Sequence, residues 1–167
     1  NGSVRELCSA VSRECLQYGY EPVMLTDQLC CQAKEAGSFL ASIAKTHCKS
    51  GKKLAYIAGG ETIVNITGHG KGGRNQEIAL SAAEGIKGMS NAAVFSIGSD
   101  GTDGPTDAAG GYSDGDTAGV LKNKGIDIFE VLKNNDAYNA LKLTEGLIIT
   151  GPTGTNVNDV SVLLISD

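Results

Sequence analysis

Residues 54–86 read LAYIAGGETIVNITGHGKGGRNQEIALSAAEGI. The opening run, 54–58, is apolar throughout and stops at Gly59-Gly60, as a strand buried on both faces does. Further on, Ile78, Ala82 and Ile86 recur at helical spacing, which predicts a helix beginning near Gly73 or Asn75. Strand, glycine-rich loop and helix in that order mark an α/β domain. Residues 62–67 read as a second strand close behind Gly59-Gly60. A parallel crossover takes about a dozen residues or more, so this tight link predicts a mixed sheet.

The flanks continue the alternation. Ser3-x-x-Glu6 is a capping-box start, followed by Val4, Leu7, Cys8, Val11 and Cys15 at helical spacing and by Gly19 as a stop. Residues 22–25 read as a short strand and 28–48 as a second helix, with Ala33, Ala36, Leu40, Ile43, Ala44 and His47 on one face. Downstream, the pattern predicts a strand over 92–97, short helices over 114–124 and 136–143, and strands over 147–150 and 160–165. One α/β domain over residues 1–167 is expected, with helices on both faces of its sheet.

The chain has 167 residues, 41% hydrophobic and 20% charged, and at this length a core forms without covalent staples. Of its 23 glycines, 14 fall between residues 59 and 115; with only 3 prolines and no period, collagen and linker readings are excluded. A net charge of -5 argues against nucleic acid as a partner. From Gly88 to Leu121 there is no Lys or Arg but five Asp, a balance that suits a cation better than an anion. No apolar run approaches about 18 residues, so no membrane span is expected. No signal peptide is read either. The first residue is Asn rather than Met, which suggests a processed, trimmed or cut piece of a longer protein.

Cys8, Cys15, Cys30, Cys31 and Cys48 include no CxxC, and their odd count fits reduced, buried thiols of a cytoplasmic protein. His47 and His69 stand too far from any paired ligand for zinc. The N-x-S/T matches at Asn1 and Asn65 read as accidental.

Four glycine-punctuated segments carry the candidate chemistry, because open α/β sheets bind ligands at strand ends. Gly59-Gly60-Glu61 reads either as a tight turn or as a turn that approaches a ligand, with Glu61 beside it. The run 68–77, GHGKGGRNQE, feeds a helix start whose unpaired N–H groups suit an anion, and Arg74 adds a fork for phosphate or carboxylate. It lacks the Walker A spacing. In 98–107, GSDGTDGPTD, three carboxylates separated by glycines repel one another unless a cation or strong donors sit among them. Mg2+ or a catalytic Asp is expected there, although turns account for part of the pattern. The fourth, 151–159, GPTGTNVND, is small and polar, and its amides and hydroxyls suit a pocket wall or a plain turn.

Taken together, GGETIVNITGHGKGGRNQEIAL, SDGTDGPTDAAG and GPTGTNVND, with NNDAYNAL at 134–141, resemble the MOFRL domain. That is the C-terminal domain of the two-domain glycerate 2-kinase family, and the likeness spans essentially the whole chain. The resemblance implies a three-layer α/β/α sandwich around a mixed sheet of about six strands. It implies phosphorylation of D-glycerate to 2-phosphoglycerate with ATP and Mg2+, in a cleft shared with a Rossmann-like N-terminal domain that these residues do not include.

On this reading Arg74, Asp103 and Asp107 are the catalytic candidates, and Asp100 and Asp103 the metal ligands. Gly59, Gly60, Glu61, Gly70, Gly72, Gly73, Asn75, Thr102, Thr155, Asn156 and Asn158 would line the substrate and phosphate site. Which Asp is base and which is ligand stays open, as does whether Arg74 meets phosphate or carboxylate. Ala58 and Ser99 depart from the family's usual Ser and Thr. With the N-terminal domain and its catalytic lysine absent, the isolated chain is expected to be inactive; a homodimer is neither required nor excluded.

The alternatives are a hydroxypyruvate reductase, a label also used in this family, and a stand-alone binding or regulatory module. The glycine offsets of GHGKGG at 68–73 match a dinucleotide fingerprint poorly.

Overall fold

The computed structural model describes residues 2–167. In chain order the elements are α1 (Val4–Gln17), β1 (Glu21–Leu29), α2 (Ala33–His47), β2 (Leu54–Gly60), α3 (Arg74–Gly85), β3 (Ala92–Gly98) and β4 (Gly110–Asp114). They continue with α4 (Thr117–Asn123), α5 (Ile128–Lys133), α6 (Ala137–Leu143), β5 (Leu147–Ile148) and β6 (Asp159–Ile165). The six strands form one sheet in the order β1-β2-β6-β3-β4-β5. Only β1 and β2 are parallel; the other four pairings are antiparallel.

The layers follow from the two-residue period of the strands. In β2, Leu54 and Tyr56 pack with α2 and α3, around Leu40, Ala44, Ile78 and Ile86. Ala55 and Ile57, on the opposite face, pack with Cys8 and α1. A second cluster, with Leu80, Leu121, Ile128 and Leu141, joins α3 to α4, α5 and α6. Fully burying an Ile or Leu of this kind contributes roughly 1.5–3 kcal/mol. The result is a three-layer α/β/α sandwich. Ser3 caps α1 by accepting from Glu6 N at 3.2 Å, as the capping box predicts.

Several expectations need correction. Residues 62–67 form no strand beyond a single bridge between Gln32 and Ile63. Both edges of β2 are already taken by β1 and β6, so this segment cannot pair back onto the strand it follows, and Gly59-Gly60 ends β2 rather than turning between strands. The sheet is mixed for a different reason: β6 inserts between β2 and β3, antiparallel to both.

Strand β4 and helix α5 are additions to the sequence reading, and α4 is shorter than the span 114–124. Cys30 and Cys31 are exposed, whereas Cys8 is buried and all five thiols are free. The match at Asn1 lies outside the described residues. Among the described residues no helix is long and apolar enough to cross a membrane.

Candidate functional site: the start of helix α3

Helix α3 opens with Gly73 extended at its N-cap and exposes the N–H groups of its first turn, which attract an anion. The chain itself supplies that anion. Asn75 donates from both N and Nδ2 to Asp103 Oδ1 at 3.1 Å, and Gln76 N donates to Oδ2 at 2.9 Å. Gln76 Nε2 adds a bond to the Asp103 carbonyl at 3.2 Å. Asp103 is 2% exposed. Burial pushes its carboxyl above the usual carboxylate range, while the three N–H donors pull the other way. The approach is so close that a Cβ on Gly73 would lie 2.6 Å from Asp103 Oδ1.

Seating α3 in this way aims Arg74. Its Nε and Nη2 grip the Asp159 carboxylate as a fork, Nη2 reaching Oδ1 at 3.1 Å. Its Nη1 lies 3.4 Å from Glu61 Oε1. The Asp159 side chain is 7% exposed, that of Arg74 33% and that of Glu61 57%, so the guanidinium is neutralised on its inner side and open on its outer side. Asp159, first among the causes, holds the guanidinium still further into its charged form. Arg74, Glu61, Gly70, Gly72, Gly73 and Glu77 share the lining of one cleft of about 390 Å3.

The glycine run before α3 is held by the turn between α5 and α6. Asn135 Oδ1 accepts from Thr67 N at 2.7 Å and Gly68 N at 2.9 Å; its Nδ2 donates to Asn65 O at 2.9 Å and Glu77 Oε1 at 3.0 Å. Asn134 Oδ1 accepts from His69 N, and Asp136 Oδ1 from Lys71 N. The glycines allow this contact: a Cβ on Gly70 would lie 2.6 Å from Asp136 Cα, and one on Gly68 2.6 Å from the Asn134 carbonyl carbon. These amides therefore bind the chain's own side chains. Glu77, 5% exposed, has its carboxyl pushed up by burial, partly offset by the Asn135 bond.

The remaining candidates lie apart from the Arg74 cleft lining. Asn75 is buried, and its Oδ1 accepts from Ser96 Oγ at 2.6 Å. Asp107 is exposed and accepts from the Tyr138 hydroxyl at 2.7 Å, which raises the Tyr138 phenol above its usual range. Lys71 Nζ lies 4.1 Å from the centre of the Tyr138 ring. Asp100 Oδ1 accepts from Thr102 N at 3.0 Å, closing a local turn. Thr155, Asn156 and Asn158 are exposed on a loop that Ser99 ties down, accepting from Val157 N at 2.8 Å and donating its own N–H to Asn158 O.

Gly59 and Gly60 pack against Cys8 and Leu29 respectively, at the end of β2. Among the described residues no three His, Cys, Asp or Glu side chains converge as a metal site. Asp159, Asn135 and Glu77 were not among the sequence candidates. A signal for Asp159 existed: a carboxylate heading an apolar strand needs a partner, and Arg74 is the only arginine after Arg13.

The MOFRL family pattern matches residues 54–159. The chain is 50% identical over 168 residues to the D-glycerate 2-kinase of Thermotoga maritima, covering 98% of this chain and 40% of that protein. It is 45% identical to the glycerate 2-kinase of Pyrococcus horikoshii, covering 95% of this chain and 37% of that protein. The crystal structure of the Thermotoga maritima glycerate kinase superposes with a TM-score of 0.94, covering 98% of this chain and 41% of the solved one. The chain thus spans about two fifths of the length of these relatives, and the lining of the Arg74 cleft falls within the matched segments. By sequence and by fold, the chain belongs to the MOFRL family.

Proposed function

We propose that this domain supplies the Arg74 side of the active-site cleft of a glycerate kinase, which phosphorylates D-glycerate to 2-phosphoglycerate with ATP. The observation that carries the reading is the half-satisfied guanidinium: Asp159 fixes Nε and Nη2, and Nη1 is left at a cleft. Family membership and the relatives' names support the substrate.

Arg74 meets the glycerate carboxylate rather than a phosphate. With Asp159 and Glu61 both beside it, the guanidinium carries no surplus charge for a multiply charged group. A monoanionic carboxylate takes the Nη1 edge at the smallest electrostatic cost. Holding the carboxylate orients the glycerate hydroxyls, and positioning is the main demand of phosphoryl transfer.

Asp103 has the role of seating α3, in place of the metal or base role. Its carboxylate oxygens already accept three N–H groups, which a cation would have to displace. The loop amides at 67–71 are paired within the chain, so this glycine run does not fit a nucleotide cradle. The same pairing leaves GHGKGG unsuited to a nicotinamide cofactor, which disfavours the reductase reading.

The test is to give the full-length protein D-glycerate, ATP and Mg2+ and follow 2-phosphoglycerate by phosphorus NMR. Accumulation of 2-phosphoglycerate is the expected result. No phosphorylated product, with NADH-dependent reduction of hydroxypyruvate instead, would overturn it.

A further inference from the structure

We infer that Asn135 is a positioning residue for the Arg74 cleft, holding the segment 65–68 against helix α3 through the four hydrogen bonds of its side chain. This rests on reading the cleft as the glycerate site. An amide side chain has four principal hydrogen-bonding positions, two accepting and two donating. All four are filled here: Thr67 N, Gly68 N, Asn65 O and Glu77 Oε1, at 2.7–3.0 Å. Asn135 is 9% exposed and its backbone sits at φ 55, a left-handed conformation that Asn adopts more readily than most residues.

The side chain therefore stands where two cleft-forming elements meet. One is the glycine segment leading to Gly70, Gly72 and Gly73; the other is Glu77, which lies just past Arg74 in the same helix. Neighbouring bonds reinforce the hold, since Asn134 and Asp136 take the next N–H groups along the run. Asn135 itself touches no reacting atom in this reading. It sets the spacing between the loop and the arginine.

Substitution by glycine isolates the side chain, because glycine keeps the positive φ without strain. In the full-length protein, Asn135→Gly is expected to speed amide exchange in the 65–68 segment about tenfold or more, the scale of losing an intramolecular acceptor. The kcat/KM for D-glycerate is expected to fall at least about tenfold, with the ATP KM unchanged.

A reciprocal pair separates positioning from mere stability. Asn135→Asp puts a carboxylate against Glu77 and the Asn65 carbonyl and lowers kcat/KM; adding Glu77→Gln restores the bond to residue 77 with donor and acceptor exchanged and recovers part of the turnover. If exchange in 65–68 is unaltered in Asn135→Gly, or if the double variant gains thermal stability without turnover, the positioning role is refuted. A wild-type enzyme that leaves glycerate unphosphorylated overturns the functional reading alone, and the exchange measurement still decides whether Asn135 holds the loop.

Discussion

Replacing Asp103 with asparagine removes the internal anion at the start of α3 while nearly preserving shape. Oδ1 can keep its two donors from Asn75, but the new amide NH2 then faces Gln76 N, which presently donates to Oδ2 at 2.9 Å. One N–H is left without an acceptor at a site 2% exposed. An orphaned buried donor costs about 1–3 kcal/mol. The lost charge–dipole interaction adds about 0.3–1 kcal/mol.

Together these predict destabilisation of about 1.3–4 kcal/mol, a sizeable share of the roughly 5–15 kcal/mol that holds a typical domain folded. At about 2–4 °C per kcal/mol for a domain of this size, the Tm falls by roughly 3–16 °C. Urea denaturation and calorimetry measure it, each with and without Mg2+. A loss that is the same in both conditions supports the helix-seating role. Wild type stabilised by Mg2+ and a variant blind to it would overturn the helix-seating role and return Asp103 to the metal.

Three other changes probe neighbouring parts of the account. Gly70→Ala forces a Cβ to within 2.6 Å of Asp136 Cα and is expected to cost about 1–3 kcal/mol in a denaturant titration, while Gly119→Ala, with open space around it and ordinary helical backbone, should gain about 0.4–1 kcal/mol. Because burial raises the Glu77 pKa in the folded chain, the folded state holds a proton that the unfolded state gives up. Glu77 therefore contributes stability below its unfolded value, near pH 4.5, and loses it as pH rises through the folded value; Glu77→Gln should flatten that decline in denaturation midpoints measured across pH. Glu61→Gln removes the competing carboxylate 3.4 Å from Arg74 Nη1 and should tighten D-glycerate binding by up to roughly fivefold in calorimetry, an effect that added salt diminishes.

What the sequence showed, and what it hid, divides by distance along the chain. Helices α1, α2 and α3 were legible because their apolar spacing is local, and β2, β3 and β6 because buried strands are apolar runs. Residues 62–67 look like a strand by the same criteria, but whether a strand forms depends on a free sheet edge, and β2 has none. Strand β4 escaped because GGYSD contains no apolar run or β-branched residue. Its glycines are required by contact: a Cβ on Gly110 would lie 2.9 Å from Ile97 Cα, across the pair of strands.

The site followed the same rule. Arg74 and the acidic loop were recognisable as residue types, whereas their partners were not. Asp103 lies 28 residues from Asn75, Asn135 lies 68 from Thr67, and Asp159 lies 85 from Arg74. The carboxylate crowding in 98–107 did require a resolution, and it is reached by donors from elsewhere in the chain: α3 for Asp103 and Tyr138 for Asp107.

In the proposed function, Arg74 holds the carboxylate of glycerate. Arg74→Lys in the full-length protein tests it most directly, because lysine keeps a charge beside Asp159 and loses the planar fork. Steady-state kinetics with each substrate varied in turn should show kcat/KM for D-glycerate reduced roughly tenfold or more, the scale of losing a hydrogen bond to a charged group, with the KM for ATP unchanged. Unaltered glycerate kinetics, or a defect confined to ATP, would contradict the claim.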